Sequence, residues 1–156
     1  MRRHASRLLL LALVASCSAP DIKPTSGTWT YTDIVQVSST CAGEMSAPGG
    51  DFTVTVLGED RFTIGAEGLE NPLDCNYGDN TFDCPETLLF KFTSDTDDSE
   101  LIVTVEIEGT LVSSTELEGR EVIRQSCTGA DCAKVIADGK LTLPCETTLS
   151  FTGLAK

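Results

Sequence analysis

Histidine is almost missing from this chain: the only one is His4, three residues from the start. Catalysis by Ser-His-Asp or Cys-His arrangements, and metal sites built on imidazole, have no side chain to work with beyond that position. Positive charge is scarce as well, with 11 Lys and Arg against 24 Asp and Glu, a formal charge of -13. Binding to nucleic acid phosphates or anionic lipid depends on neutralising them with Lys and Arg, so nucleic acid is excluded as a partner. No C-x-x-C pair occurs among the seven Cys, which argues against zinc ribbons and thiol-disulfide exchange chemistry. Aromatic residues make up only 6% and proline numbers 6, while 40% of residues are hydrophobic. That composition suits one folded domain, neither disordered nor collagen-like.

What the chain does have begins at its first residues. Arg2, Arg3 and Arg7 precede an apolar run from Leu8 to Val14 and the small residues Ala15 and Ser16. This is the three-part layout of a secretory signal peptide. The run is far shorter than the roughly 20 residues a membrane-crossing helix needs. Val14-Ala15-Ser16-Cys17 resembles the lipobox of bacterial lipoproteins. That resemblance implies cleavage after Ser16 and a diacylglycerol thioether on Cys17. Residues 1–16 are then the signal peptide, and the exported chain keeps eight cations against 24 acids, a charge of -16. Two or more acyl chains anchor a protein stably without help from basic residues. The expected location is the bacterial cell envelope, lipid-anchored, with the outer membrane favoured because no Asp follows Cys17 directly. Residues 17–27 are small, polar and proline-containing, and read as a flexible tether; residues 28–156 form the folded domain.

With Cys17 taken by lipid, Cys41, Cys75, Cys84, Cys127, Cys132 and Cys145 remain, an even number in an oxidising compartment. Three disulfides are expected, from fifteen connectivities. Cys75 with Cys84 is the readiest pair, across the turn-rich stretch from Asn76 to Asp83. For the other four, Cys127 with Cys132 and Cys41 with Cys145 is the favoured arrangement.

The body alternates with a period of two. Trp29, Tyr31, Val35 and Val37 interleave with polar positions, and Leu101, Val103, Val105, Ile107 and Leu111 do the same. Further strands are expected over Phe52 to Leu57, Arg61 to Ala66, Thr87 to Thr93, Leu117 to Arg124 and Thr147 to Gly153, with another at Lys140 to Leu143. A helix of one or two turns fits Ala130 to Ala137. The fold class is all-β: an antiparallel barrel of about eight strands, the alternative being a β-sandwich. Trp29, Tyr31, Val35, Val37, Phe52, Val54, Val56, Phe62, Ile64, Phe90, Phe92, Val103, Val105, Ile107, Leu149 and Phe151 are expected to face one interior. An eight-stranded barrel is either just filled by such side chains or just able to hold one small ligand.

Gly27-Thr28-Trp29 resembles the Gly-x-Trp that opens the first strand of lipocalins and their calycin relatives. The resemblance implies an up-and-down barrel holding a small apolar ligand, against Trp29, Tyr31, Phe62, Phe90, Phe92, Val105 and Phe151. The Arg that packs on the Trp in that family has no counterpart in Glu146 to Lys156. Two functions follow: a lipid-anchored envelope protein with a lipocalin-like barrel for a small apolar ligand, or a structural or interaction module with a filled core. Neither is an enzyme and neither calls for a cofactor. The acidic run Ser94 to Glu100 offers oxygen ligands for calcium, but it lacks the glycine and distal glutamate of an EF-hand loop, and acidic hairpin tips ordinarily just solvate the chain.

Overall fold

The computed structural model describes residues 21–42, 49–66, 69 and 71–156. The expected signal peptide, residues 1–16, and the expected lipidation site Cys17 lie outside these residues. Eight strands run in the order β1 (Gly27–Ser39), β2 (Asp51–Val56), β3 (Arg61–Ala66), β4 (Leu73–Gly78), β5 (Thr81–Thr93), β6 (Glu100–Ser113), β7 (Glu116–Thr128) and β8 (Cys145–Ala155), with one helix, α1 (Cys132–Gly139), before β8. Each strand pairs antiparallel with the next and β8 pairs back with β1, which closes a barrel rather than a sandwich.

The barrel has two tiers, because β2, β3 and β4 have six residues each while the other five strands have 11 to 14. β1 pairs with β2 only from Gly27 to Thr30, and β4 meets β5 only from Asn76 to Gly78. The lower tier is a complete ring. Above it, β5, β6, β7, β8 and β1 continue as a curved sheet whose edges, the upper halves of β1 and β5, have no paired neighbour among the described strands.

The structure departs from the alternation at these edges. Val35 and Val37 are 57% and 61% exposed, and Phe90 and Phe92 are 49% and 64% exposed, whereas all four were expected inside. In β1 an extra residue enters between Thr32 and Val35, with Asp33 at φ 52°, and another between Gln36 and Ser38. One inserted residue flips every side chain that follows it. Ile34 therefore packs on the core, and Gln36, not Val35 or Val37, stands opposite Leu149, where it remains exposed. Phe90 and Phe92 sit opposite Val103 and Leu101 and so share their face, but no strand of the short wall reaches up to cover them. Both edges carry two such irregularities, a device that keeps exposed strand edges from pairing with other chains.

β4 was not expected, and the stretch from Asn76 to Asp83 is mostly strand. Asp79 and Asn80, at φ 51° and 60°, make the two-residue turn between β4 and β5. No strand covers Lys140 to Leu143, which follows α1 as irregular chain. The disulfides join Cys75 to Cys84, Cys127 to Cys132 and Cys41 to Cys145. The first pair lies inside the barrel between β4 and β5, with both residues at most 1% exposed. The last ties the end of β1 to the start of β8, and the remaining one ties the end of β7 to α1.

Residues 22–26, read from composition as part of the tether, are bonded across the lower end of the ring. The Ile22 amide donates to Asn80 Oδ1 at 2.8 Å in the β4–β5 turn, and the Thr25 amide to the Ser114 carbonyl at 2.7 Å in the β6–β7 turn. The Val56 amide donates to Ser26 Oγ at 2.9 Å, and Lys23 pairs with Glu59 in the β2–β3 turn. Pro24 is buried, and Trp29 Nε1 donates to the Thr25 carbonyl at 2.9 Å. This strap caps the lower tier.

Candidate functional site

Of the seven residues expected to line a ligand cavity, Trp29, Phe62, Val105 and Phe151 lie in one core cluster with exposures of 0% to 4%. Tyr31 is half-buried against that core, its ring 4.4 Å from Phe52 and 5.0 Å from Phe151 between centroids. Phe90 and Phe92 are apart from these, on the upper sheet. Val103, Ile107 and Leu149 complete the wall between the tiers, each at most 3% exposed.

The lower tier is filled, and glycine makes the room. Gly109 and Gly119 are cross-strand partners on β6 and β7, and Gly153 faces Leu117 on β7. A Cβ on Gly109 would run into the Glu118 carbonyl and lie 2.7 Å from the Phe82 ring, and one on Gly153 would lie 2.9 Å from the Phe52 ring. A Cβ on Gly119 would run into the Phe151 ring. Three rings thus occupy the volume that three side chains would otherwise fill. Phe62 adds ring contacts to Tyr77 and Phe82 at 5.8 and 5.6 Å. Such aromatic pairs contribute about 0.5–1.5 kcal/mol each beyond the area they bury.

One carboxylate lies inside, and the sequence reading did not find it. Glu121 is 7% exposed, in register between Ile107 and Leu149, and its Oε2 has no hydrogen-bond partner. Burial in this apolar layer pushes its carboxyl up to about 7. Burial, and next the Glu121 charge, raise the Tyr31 hydroxyl in turn. The signal was present, since Glu121 stands in phase with Leu117, Gly119 and Ile123. The buried but out-of-phase Val122 obscured it.

On the outer face, charges pair along and across strands. Arg124 reaches Glu106 at 2.8 Å, Glu146 at 3.1 Å and Glu86 at 3.6 Å, so one guanidinium joins β5, β6, β7 and β8. Arg120 meets Glu108 at 3.3 Å beside an open groove of about 710 Å³, which crosses the outward side of the two paired glycines. The groove is walled by Asp33, Asp83, Glu118 and hydroxyl side chains. The acidic loop is engaged in its own fold: Asp97 pairs with Lys134 at 2.7 Å and Glu100 with Lys91 at 2.6 Å. Among the described residues no three His, Cys, Asp or Glu side chains are placed to hold a metal ion.

No protein-family model matches this chain, and neither the curated proteins nor the solved structures hold a significant match to it.

Proposed function

We propose that this protein is a lipid-anchored module of the bacterial cell envelope, a disulfide-stapled barrel that acts through its outer surface and carries no ligand in its interior. It works as a structural or interaction module, without catalysis. The observation that carries this reading is the seating of the Phe82, Phe151 and Phe52 rings on Gly109, Gly119 and Gly153. An interior cavity for an apolar ligand needs about 300 Å³ or more, and in the lower tier those rings occupy the space. A chain of this size with three disulfides and -16 charge invests in holding its shape against self-repulsion, which suits a presented surface. The anchor rests on the lipobox-like Val14-Ala15-Ser16-Cys17, and the outer membrane on the absence of Asp after Cys17.

The anchor is tested by Cys17→Ser in cells that process lipoproteins. The expected result is loss from the membrane fraction or accumulation of the uncleaved form. Recovery of the variant in membranes with unchanged mobility would overturn the anchored reading.

A further inference from the structure

The strap ties the chain from Ile22 to Ser26 to the lower end of the barrel. Its hydrogen bonds and ion pair reach all three turns at the lower end, at Asn80, Ser114 and Glu59, so the chain is fixed there from Ile22 onward. Four residue steps lead from Cys17 to Asp21 along the sequence. At no more than 3.3–3.6 Å each, whatever their conformation, they span about 14 Å at most. The barrel is taller than that. Strands of up to 14 residues, tilted as barrel strands are, give a height of roughly 35 Å.

We propose that the strapped end is a membrane-apposed surface, which the acyl anchor on Cys17 holds against the lipid headgroups while the upper sheet with Phe90 and Phe92 points away. The inference rests on the anchored reading above. Around the rim of the strapped end, Leu57, Val112 and Leu154 are exposed by 55%, 47% and 37%, and can touch the headgroup layer. Asp21, Asp60, Asp79 and Glu116 lie at the same end, with Lys23 already paired to Glu59. The surface therefore fits a zwitterionic bilayer and is repelled by an anionic one. The long axis stands away from the membrane, and the upper end, with its acidic loop and exposed rings, is the one free to meet other molecules.

The chain carries its own reporter. Trp29 is the only tryptophan, and its indole is bonded to the strap. The full lipidated protein is reconstituted into phosphatidylcholine vesicles containing a dansyl-headgroup lipid, and energy transfer from tryptophan is read after flotation. Wild type should transfer strongly. Phe92→Trp, which adds a second donor at the far end, should lower the fractional transfer toward half, while Leu57→Trp should leave it as high or higher. Replacing part of the phosphatidylcholine with phosphatidylglycerol at low salt should reduce transfer. If the protein floats with vesicles but Phe92→Trp transfers as well as Leu57→Trp, the orientation is wrong and the anchor stands. If the wild type does not float, the anchor reading falls and takes the orientation with it.

Discussion

Phe151 presses its ring onto the Cα of Gly119, so closely that no side chain of any size fits between them. Phe82 likewise packs on Gly109 of the neighbouring strand, where the Glu118 carbonyl also closes the space, and the two glycines are opposite one another in the β6–β7 ladder. Two bulky residues and two absent ones thus make a single layer of the barrel.

Gly119→Ala should therefore destabilise the protein by about 1–3 kcal/mol, since overpacking forces off-rotamer rings and backbone shifts. Gly58, in the β2–β3 turn, has nothing within 4 Å of where a Cβ would go. Gly58→Ala should stay within about 0.5 kcal/mol. Urea unfolding of the two variants checks this, and equal costs would show that the layer has slack.

Register corrections give a second test. Phe62 is fully buried and Phe92 is 64% exposed, although both stand at inward positions of their strands. Phe62→Ala should cost about 3–5 kcal/mol and Phe92→Ala about 0.5 kcal/mol or less, by the same unfolding measurement.

The difference between these two phenylalanines shows what was legible in the sequence. Period-two alternation gave the all-β class, the strands β2, β3 and β6 to within a residue or two, and an inward face for Val103, Val105 and Ile107. Cysteine parity pointed to three disulfides and the short turn to Cys75 with Cys84, while the other two pairs were only the favoured arrangement of the four cysteines left. Alternation could not show how tall the opposite wall is, so Phe90 and Phe92 lost their cover. Nor could it show the extra residues in β1, which reversed Val35 and Ile34. β4 was hidden because Asp74, Asn76 and Gly78 read as turn residues, while of its inward side chains, Leu73, Cys75 and Tyr77, the middle one is fixed by the Cys75–Cys84 disulfide. The carboxylate at Glu121 was missed because a charged residue in a strand is ordinarily assigned to the wet face.

That carboxylate makes stability depend on pH in a direction of its own. Its carboxyl rises from an ordinary value of 4.5 to about 7 on folding, so the folded state binds the proton more tightly. The contribution is fully present below about 4.5 and is lost as pH rises through 7. The loss is on the order of 3 kcal/mol. Glu121→Gln should remove this dependence, leaving a variant more stable than wild type at pH 8 and similar to it at pH 4.5. Thermal melts at the two pH values check it. A variant that loses stability equally at both would show that the acid is not buried as described.

The disulfides should differ in value. Cys41 and Cys145 close a loop with a separation of 104, and Cys75 and Cys84 one of 9. On the chain-entropy account the long loop contributes about 4–5 kcal/mol and the short one about 2–3 kcal/mol. Paired Cys→Ser variants at each site, unfolded in urea, should follow that order. Peptide mapping of the unreduced protein should recover all three links.

The central claim is that the barrel's interior is occupied by its own side chains. Titrating the purified folded domain with the apolar fluorophore N-phenyl-1-naphthylamine tests it most directly. No saturable fluorescence increase is expected at one equivalent. A saturable 1:1 enhancement that Val105→Trp abolishes, with the fold intact by circular dichroism, would contradict it.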